Sequence, residues 1–226
     1  MARQPVTKHR SFAIRHNRGF TLVEMAVVLL IIGLLLGGLL GPLSMQVENE
    51  RRKETTKLLS DVNEALLGFA VANGYLPCPD SDGDGFENNP CAATEGDLPW
   101  KDLGVGQLDA WHHPLRYRVD DSFYTTVPNP PDTTGGLTVT DIGGTALTSA
   151  NPNAPVAIVF SCGPDGLPND ENDANGTVDD PICENPGGGN TTYVQNIVVD
   201  SSYDDLLIWI SKNSLLNRVV AAGKWP

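Results

Sequence analysis

No acidic residue precedes Glu24, although five basic ones do: Arg3, Lys8, Arg10, Arg15 and Arg18. The 226-residue chain also lacks the glycine-rich loops that cradle phosphates. There is no P-loop and no G-x-G-x-x-G after a strand, and Gly187-Gly188-Gly189 stands in a turn-rich stretch. No G-x-S-x-G elbow is present, and no ordering of Ser, His and Asp suggests a catalytic triad. Nucleotide chemistry and serine hydrolysis therefore find no support, and no enzymatic activity is expected. There are four cysteines (Cys78, Cys91, Cys162, Cys183), and none forms the C-x-x-C pair of a zinc site. His112 and His113 are adjacent, so their side chains diverge and suit a shared metal poorly. Global disorder is excluded too, because 40% of residues are hydrophobic.

What the chain does have is one long apolar run. Residues 22–43 (LVEMAVVLLIIGLLLGGLLGPL) carry a single charge, Glu24. At ~1.5 Å per helical residue, ~20 residues cross a ~30 Å hydrocarbon layer, so the run is long enough to span. The five preceding cations hold its N-terminal end in the cytoplasm and send everything after Pro42 outward. An ordinary signal peptide would be cut after the apolar region at small residues, and Ser44-Met45-Gln46-Val47-Glu48 is a poor match. A plain anchor leaves Glu24 unexplained, since an unpartnered carboxylate in hydrocarbon costs several kcal/mol.

The residues at the start of the run carry a family resemblance. Arg18-Gly19-Phe20-Thr21-Leu22-Val23-Glu24 resembles the cleavage and methylation motif of type IV pilins and type II secretion pseudopilins. That resemblance implies a prepilin peptidase that cuts between Gly19 and Phe20 and N-methylates Phe20. It implies that Glu24, fifth in the mature chain, pairs with the Phe20 amine of an adjacent subunit and sets register as apolar helices pack. The implied partners are that peptidase, other pilin-like subunits through their N-terminal helices, and the bacterial inner membrane. The expected place is a single-pass inner-membrane protein whose domain lies in the periplasm or on an extracellular filament. Gly33, Gly37, Gly38 and Gly41 would let such helices approach closely, although membrane helices tolerate glycine generally.

The organisation follows: leader 1–19, transmembrane and polymerisation helix 20–43, soluble helix half 44–73, extracytoplasmic domain 74–226. Leu58, Val62, Ala65, Leu66, Phe69 and Ala70 recur at helical spacing and predict an apolar stripe for a sheet to cover, with Asn73-Gly74 as the helix stop. Strand-like runs stand at Leu115–Val119, Phe123–Val127, Leu137–Thr140, Val156–Phe160, Tyr193–Val199 and Leu206–Ile210. A last helix is expected over 212–222, capped by Ser211, stopped by Gly223, with Leu215, Leu216, Val219 and Val220 on one face. The predicted fold class is α+β: a long N-terminal helix packed on a small antiparallel sheet, with disulfide-closed loops. Four cysteines in loops of an exported domain read as two disulfides. They allow three connectivities, of which Cys78–Cys91 with Cys162–Cys183 closes the most local loops.

Two acidic loops draw attention. Asp80-Ser81-Asp82-Gly83-Asp84-Gly85 matches the D-x-D-x-D-G opening of a calcium loop, where alternate carboxylates converge on a hard cation. The twelfth position is Cys91 rather than the bidentate Glu of an EF-hand, and Glu87 and Asn88 are the nearby oxygens. The second loop carries Glu171, Asp173, Asn175 and Gly176 at a degenerate version of that spacing. It resembles the calcium loop of major pseudopilins, which follows an S-x-G-x-D-G segment matched here by Ser161, Gly163, Asp165 and Gly166. Asp109, Trp111, Pro114 and Tyr117 likewise resemble the pseudopilin D-x-W-x-x-P-x-x-Y stretch, with His112-His113 where glycine is common. Two readings stand for these loops: a calcium site, with Asp80, Asp82, Asp84, Glu171, Asp173 and Asn175 as its ligands, or solvated acidic turns closed by disulfides, with no other cofactor expected. Loss of residues 1–19 would leave ten basic against 28 acidic residues, a charge of −18, so nucleic acid is not an expected partner. A membrane-tethered adhesin or ligand-binding module using the same export route is the rival reading.

Overall fold

The computed structural model describes residues 19–124, 136–149, 153–168, 172, 191–196 and 203–224; inside its long helix, the side chains of residues 38–43 are not among them. Two compact units emerge, Met1–Val47 and Glu48–Pro226, and the helix α1 (Leu22–Asn73) contributes to both.

In the first unit α1 begins with a reciprocal cap. The Thr21 hydroxyl accepts from the Glu24 amide at 3.2 Å, and Glu24 Oε2 accepts from the Thr21 amide at 3.2 Å. This is a capping box, T-x-x-E, which satisfies two backbone donors that a helix start otherwise leaves bare.

In the second unit, α1 buries Thr55, Leu59, Val62, Leu66, Leu67 and Ala70. The covered stripe is rotated from the expected one, for Leu58, Ala65 and Phe69 are only half-buried. Gly74 ends the helix as expected: at φ 82° it donates its amide to the Ala70 carbonyl at 2.9 Å. Four strands form the sheet that meets this stripe: β1 (Glu95–Asp97), β2 (Arg116–Val119), β4 (Pro155–Ser161) and β6 (Leu206–Ser211). They run antiparallel in the order β1-β2-β4-β6. Every residue of β4 is buried, because its position inside the sheet leaves neither face nor edge to water.

The remaining elements correct several expectations. β3 (Thr138–Thr140) and β5 (Thr192–Val194) form a separate two-stranded sheet, and it is parallel. Phe123 does not open a strand; it sits fully buried in a turn, its amide donating to the Asp120 carbonyl at 2.9 Å. Residues 125–127 and 197–199, the ends of two expected strands, lie outside the described residues. β1 and the single-turn helix α2 (Trp100–Leu103) were not anticipated, since E-G-D has no apolar alternation and W-K-D-L is too short to show a period. The last helix, α3 (Lys212–Ala221), is capped as expected: Ser211 Oγ accepts from the Ser214 amide at 3.1 Å. Its inward face is narrower than predicted: Leu215 and Val219 are buried, Leu216 is half-buried, and Val220 is exposed.

A buried ionic network joins the two sheets. Arg116 of β2 pairs with Asp97 at 2.8 Å and stands 4.0 Å from Glu95, which accepts the Tyr193 hydroxyl of β5 at 2.5 Å. Buried charges persist only when paired and hydrogen-bonded, and these strands supply partners from both sides.

Candidate functional site

The N-terminal device and the acidic turn belong to different units. Gly19 and Phe20 lie in non-helical backbone ahead of α1, and Phe20 is 81% exposed. A Cβ added at Gly19 would meet nothing within 4 Å. Glu24 is held by the cap to Thr21. From Leu22, 87% exposed, to Leu36, the apolar side chains of this helix segment stand open. Among the described residues no helix is long and apolar enough to cross a membrane. The apolar run of the sequence continues through residues 38–43, whose side chains are outside that set.

The first acidic turn is a stack of carboxylates bonded to the backbone of residues just ahead of them. Asp80, 2% exposed, accepts from the amides of Asp82, Gly83 and Gly85 at 3.1, 2.7 and 2.7 Å. Asp84 accepts from the Phe86 amide at 2.8 Å. Gly83 and Gly85 take φ of 78° and 87°, and a Cβ at Gly85 would come within 2.7 Å of the Trp100 ring, so glycine is required there. Asp80, Asp82 and Asp84 each present an oxygen within 4.8 Å of the others. An all-oxygen set at that spacing suits a hard divalent cation. Glu87 and Asn88 are directed elsewhere: Glu87 accepts from the Tyr75 hydroxyl and the Cys78 amide, Asn88 from Ser81. The Cys78–Cys91 disulfide closes this loop, as expected. Between the turn and β1 lies a cavity of about 450 Å³, lined in part by Asp80, Asp82, Asp97, Trp100, His112 and Arg116.

The two pseudopilin-like stretches meet in space. Asp109, buried, accepts from the Trp111 and His113 amides, each at 2.9 Å, and from the Ser161 hydroxyl at 2.6 Å. His113 Nδ1 lies 2.9 Å from the Gly163 carbonyl oxygen. The same stretch grips α1: Trp111 Nε1 donates to Glu48 at 3.2 Å, and the Ala110 amide donates to the Thr55 hydroxyl at 3.2 Å. Tyr117 is fully buried and donates to the Pro77 carbonyl at 3.1 Å. His112 takes a left-handed φ of 71°, which explains why glycine suits that position and makes histidine strained in it. Gly163 and Gly166 are also left-handed, and a Cβ at either would collide with Asp204 or His113.

Beside this junction, Asp204 has a carboxyl pKa pushed up to about 6. Burial is the main cause, reinforced by the Asp165 carboxylate; the Asp165 amide and Arg52 oppose it. Of the second acidic loop, Glu171, Asp173 and Asn175 lie outside the described residues, as does Cys183. Cys162 is disulfide-bonded. Asn172 is buried, donating to the Val194 carbonyl, Tyr203 and Asp205 and accepting from the Val194 amide. Sequence reasoning passed over Asn172, and nothing in its neighbours signals the role. It also passed over the Thr21–Glu24 cap, which the T-x-x-E spacing announces.

Residues 14–40 match the family described as the prokaryotic N-terminal methylation motif. The match covers 27 of the 226 residues and supports the pilin-type reading of the N-terminal segment. No curated protein and no solved structure matches the chain.

Proposed function

We infer that the chain is a pilin-like structural subunit, a pseudopilin or minor pilin of a type II secretion pseudopilus or a type IV pilus. The methylation-motif match at residues 14–40 carries this reading. Prepilin peptidase removes residues 1–19, and Phe20 becomes the methylated N-terminus. The exposure of Gly19 and Phe20 ahead of the helix supports this, because a protease needs accessible backbone. Among the described residues nothing demands glycine at position 19, which supports a demand made by the enzyme that reads it. The open apolar side chains of residues 22–36 support a helix that is covered first by inner-membrane lipid and then by neighbouring subunits. Glu24 then exchanges its cap to Thr21 for the Phe20 amine of an adjacent subunit. The domain faces the periplasm or the filament surface. Its acidic turn, Asp80 with Asp82 and Asp84, holds calcium; the carboxylate spacing and the all-oxygen donor set support that reading.

The test is the intact mass of the protein recovered from its native membrane, with an N-terminal fragment spectrum. A chain beginning at methylated Phe20 is expected, and Gly19→Val should retain its leader. A wild-type chain beginning at Met1, or after residue 43, would sink the reading.

A further inference from the structure

His112 is held in a strained backbone conformation, and no bond of its ring offsets the strain. It stands in the turn that Asp109 opens: the His112 amide donates to the Asp109 carbonyl at 3.1 Å, and the Asp109 amide donates to the His113 carbonyl at 2.9 Å. A bridge between Leu108 and Pro114 closes that turn. At φ 71°, His112 is the one residue other than glycine with positive φ among the described residues. A Cβ is crowded there, and such strain persists where the surroundings hold a side chain to a particular place. The residue is exposed, and among the described residues its ring makes no hydrogen bond.

His112 does line the cavity of about 450 Å³ between the acidic turn and β1. Trp100, Leu108 and Pro114 give that cavity apolar surface, and Gln107 joins His112 and the Asp97–Arg116 pair as its polar lining. The pair is fixed in place, for Arg116 is 3% exposed and bonded to Asp97 at 2.8 Å. Lys101 lies over the Trp100 ring, 4.9 Å from a ring centroid, so the indole serves as an apolar wall. A carboxylate, a guanidinium, an imidazole and a carboxamide therefore share one small space. An anion there is repelled by Asp97, an organic cation by Arg116, and a hydrocarbon strips water from all four groups. A hydroxyl both donates and accepts, so it suits each of them. A pyranose ring carries several hydroxyls around an apolar C–H face, and the volume lies in the ~300–1,000 Å³ range of small-molecule sites.

We propose that this cavity binds a neutral sugar ring, and that His112 keeps its left-handed backbone to set the imidazole against a sugar hydroxyl. Asp97, Arg116 and Gln107 hold further hydroxyls, and Trp100 with Pro114 covers the C–H face. The Asp80, Asp82 and Asp84 carboxylates take no part, so sugar and calcium do not compete. The site adds ligand recognition to the domain and does not depend on the filament-subunit reading.

The test is saturation-transfer NMR on the full chain, held in a zwitterionic detergent because alkyl glycosides compete. The probes are the methyl glycosides of glucose, galactose, mannose and N-acetylglucosamine. Saturable millimolar binding of at least one is expected, equal in calcium and in chelator. His112→Gly should weaken it about tenfold, the loss of one hydrogen bond. The same variant should raise the thermal midpoint by about 2 °C as the strain is released. His112→Asn tolerates left-handed backbone and keeps a donor and an acceptor, so it should retain most of the binding. Binding of none of the four glycosides, or equal binding by His112→Gly, would overturn the site. A lowered midpoint in His112→Gly would make the histidine structural and remove its role. Binding that requires calcium would move the sugar to the acidic turn, and binding of tetramethylammonium in place of the glycosides would refute the ligand class.

Discussion

Asp204 illustrates how a single side chain sets a pH dependence. Its carboxyl is raised from 3.8 to about 6 in the folded protein, chiefly by burial and then by the Asp165 carboxylate. A raised acid binds its proton more tightly in the native state than in the unfolded chain. Its contribution is therefore neutral below about pH 4 and becomes a penalty as pH rises through 6. Asp204→Asn keeps an oxygen for the Asp165 amide and removes the charge. The variant should raise the thermal midpoint at pH 7 and leave it nearly unchanged at pH 4. An equal shift at both pH values would show that the charge is not the cause. Asp109 is held by a different set of contacts. Its carboxylate takes three hydrogen bonds from Trp111, His113 and Ser161, so its charge is solvated by the protein itself.

At the scale of elements, the turn after Asp80 and the stretch after Asp109 use the same device: an aspartate gathers the amides of residues two to five positions on. In the first case the device leaves Asp82 and Asp84 facing solvent beside Asp80, three carboxylates on one turn against the single Lys101 ammonium bonded to the Asp84 carbonyl. Calcium should balance it. The thermal midpoint of the full chain should rise with millimolar calcium relative to chelator at matched ionic strength, since a ligand confined to the native state stabilises it. The rise should disappear in Asp82→Asn with Asp84→Asn. A midpoint that ignores calcium in the wild-type chain would refute the site. The stretch after Asp109 reaches back to α1 through Trp111 and Ala110, so it docks the helix half 48–73 on the sheet.

For the molecule as a whole, charge is the dominant long-range term. The proposed cleavage after Gly19 would remove five of fifteen basic residues and none of the 28 acidic ones. A compact state at a net charge of −18 repels itself, and added salt screens that repulsion with a Debye length of ~10 Å at 0.1 M. Sodium chloride between low and physiological concentration should therefore raise the midpoint of the processed chain more than that of the leader-bearing chain. Equal salt responses would place the repulsion in local turns instead of the whole domain.

Local chemistry was enough for the methylation motif at residues 14–40, the helix stop at Gly74, the Ser211 cap and the runs that become β2, β4 and β6. Each depends on neighbours within a few positions: an unbroken apolar run, a residue free to take positive φ, a hydroxyl before a helix, a β-branched stretch. The Asp80 turn was legible for the same reason. The phase of the α1 stripe was not, because Leu58 and Leu59 are equally apolar and only the position of the sheet decides which one it covers. β1 became a strand because Glu95 and Asp97 find Arg116 across the pair, a partner that sequence order hides. Asn172 joins Val194, Tyr203 and Asp205 over separations of 22 to 33 residues, and such a junction exists only once the chain has closed on itself. Propensity and spacing act over a turn or two of chain, whereas burial, ion pairing and the placement of the two sheet edges are properties of surfaces that meet only in the folded domain.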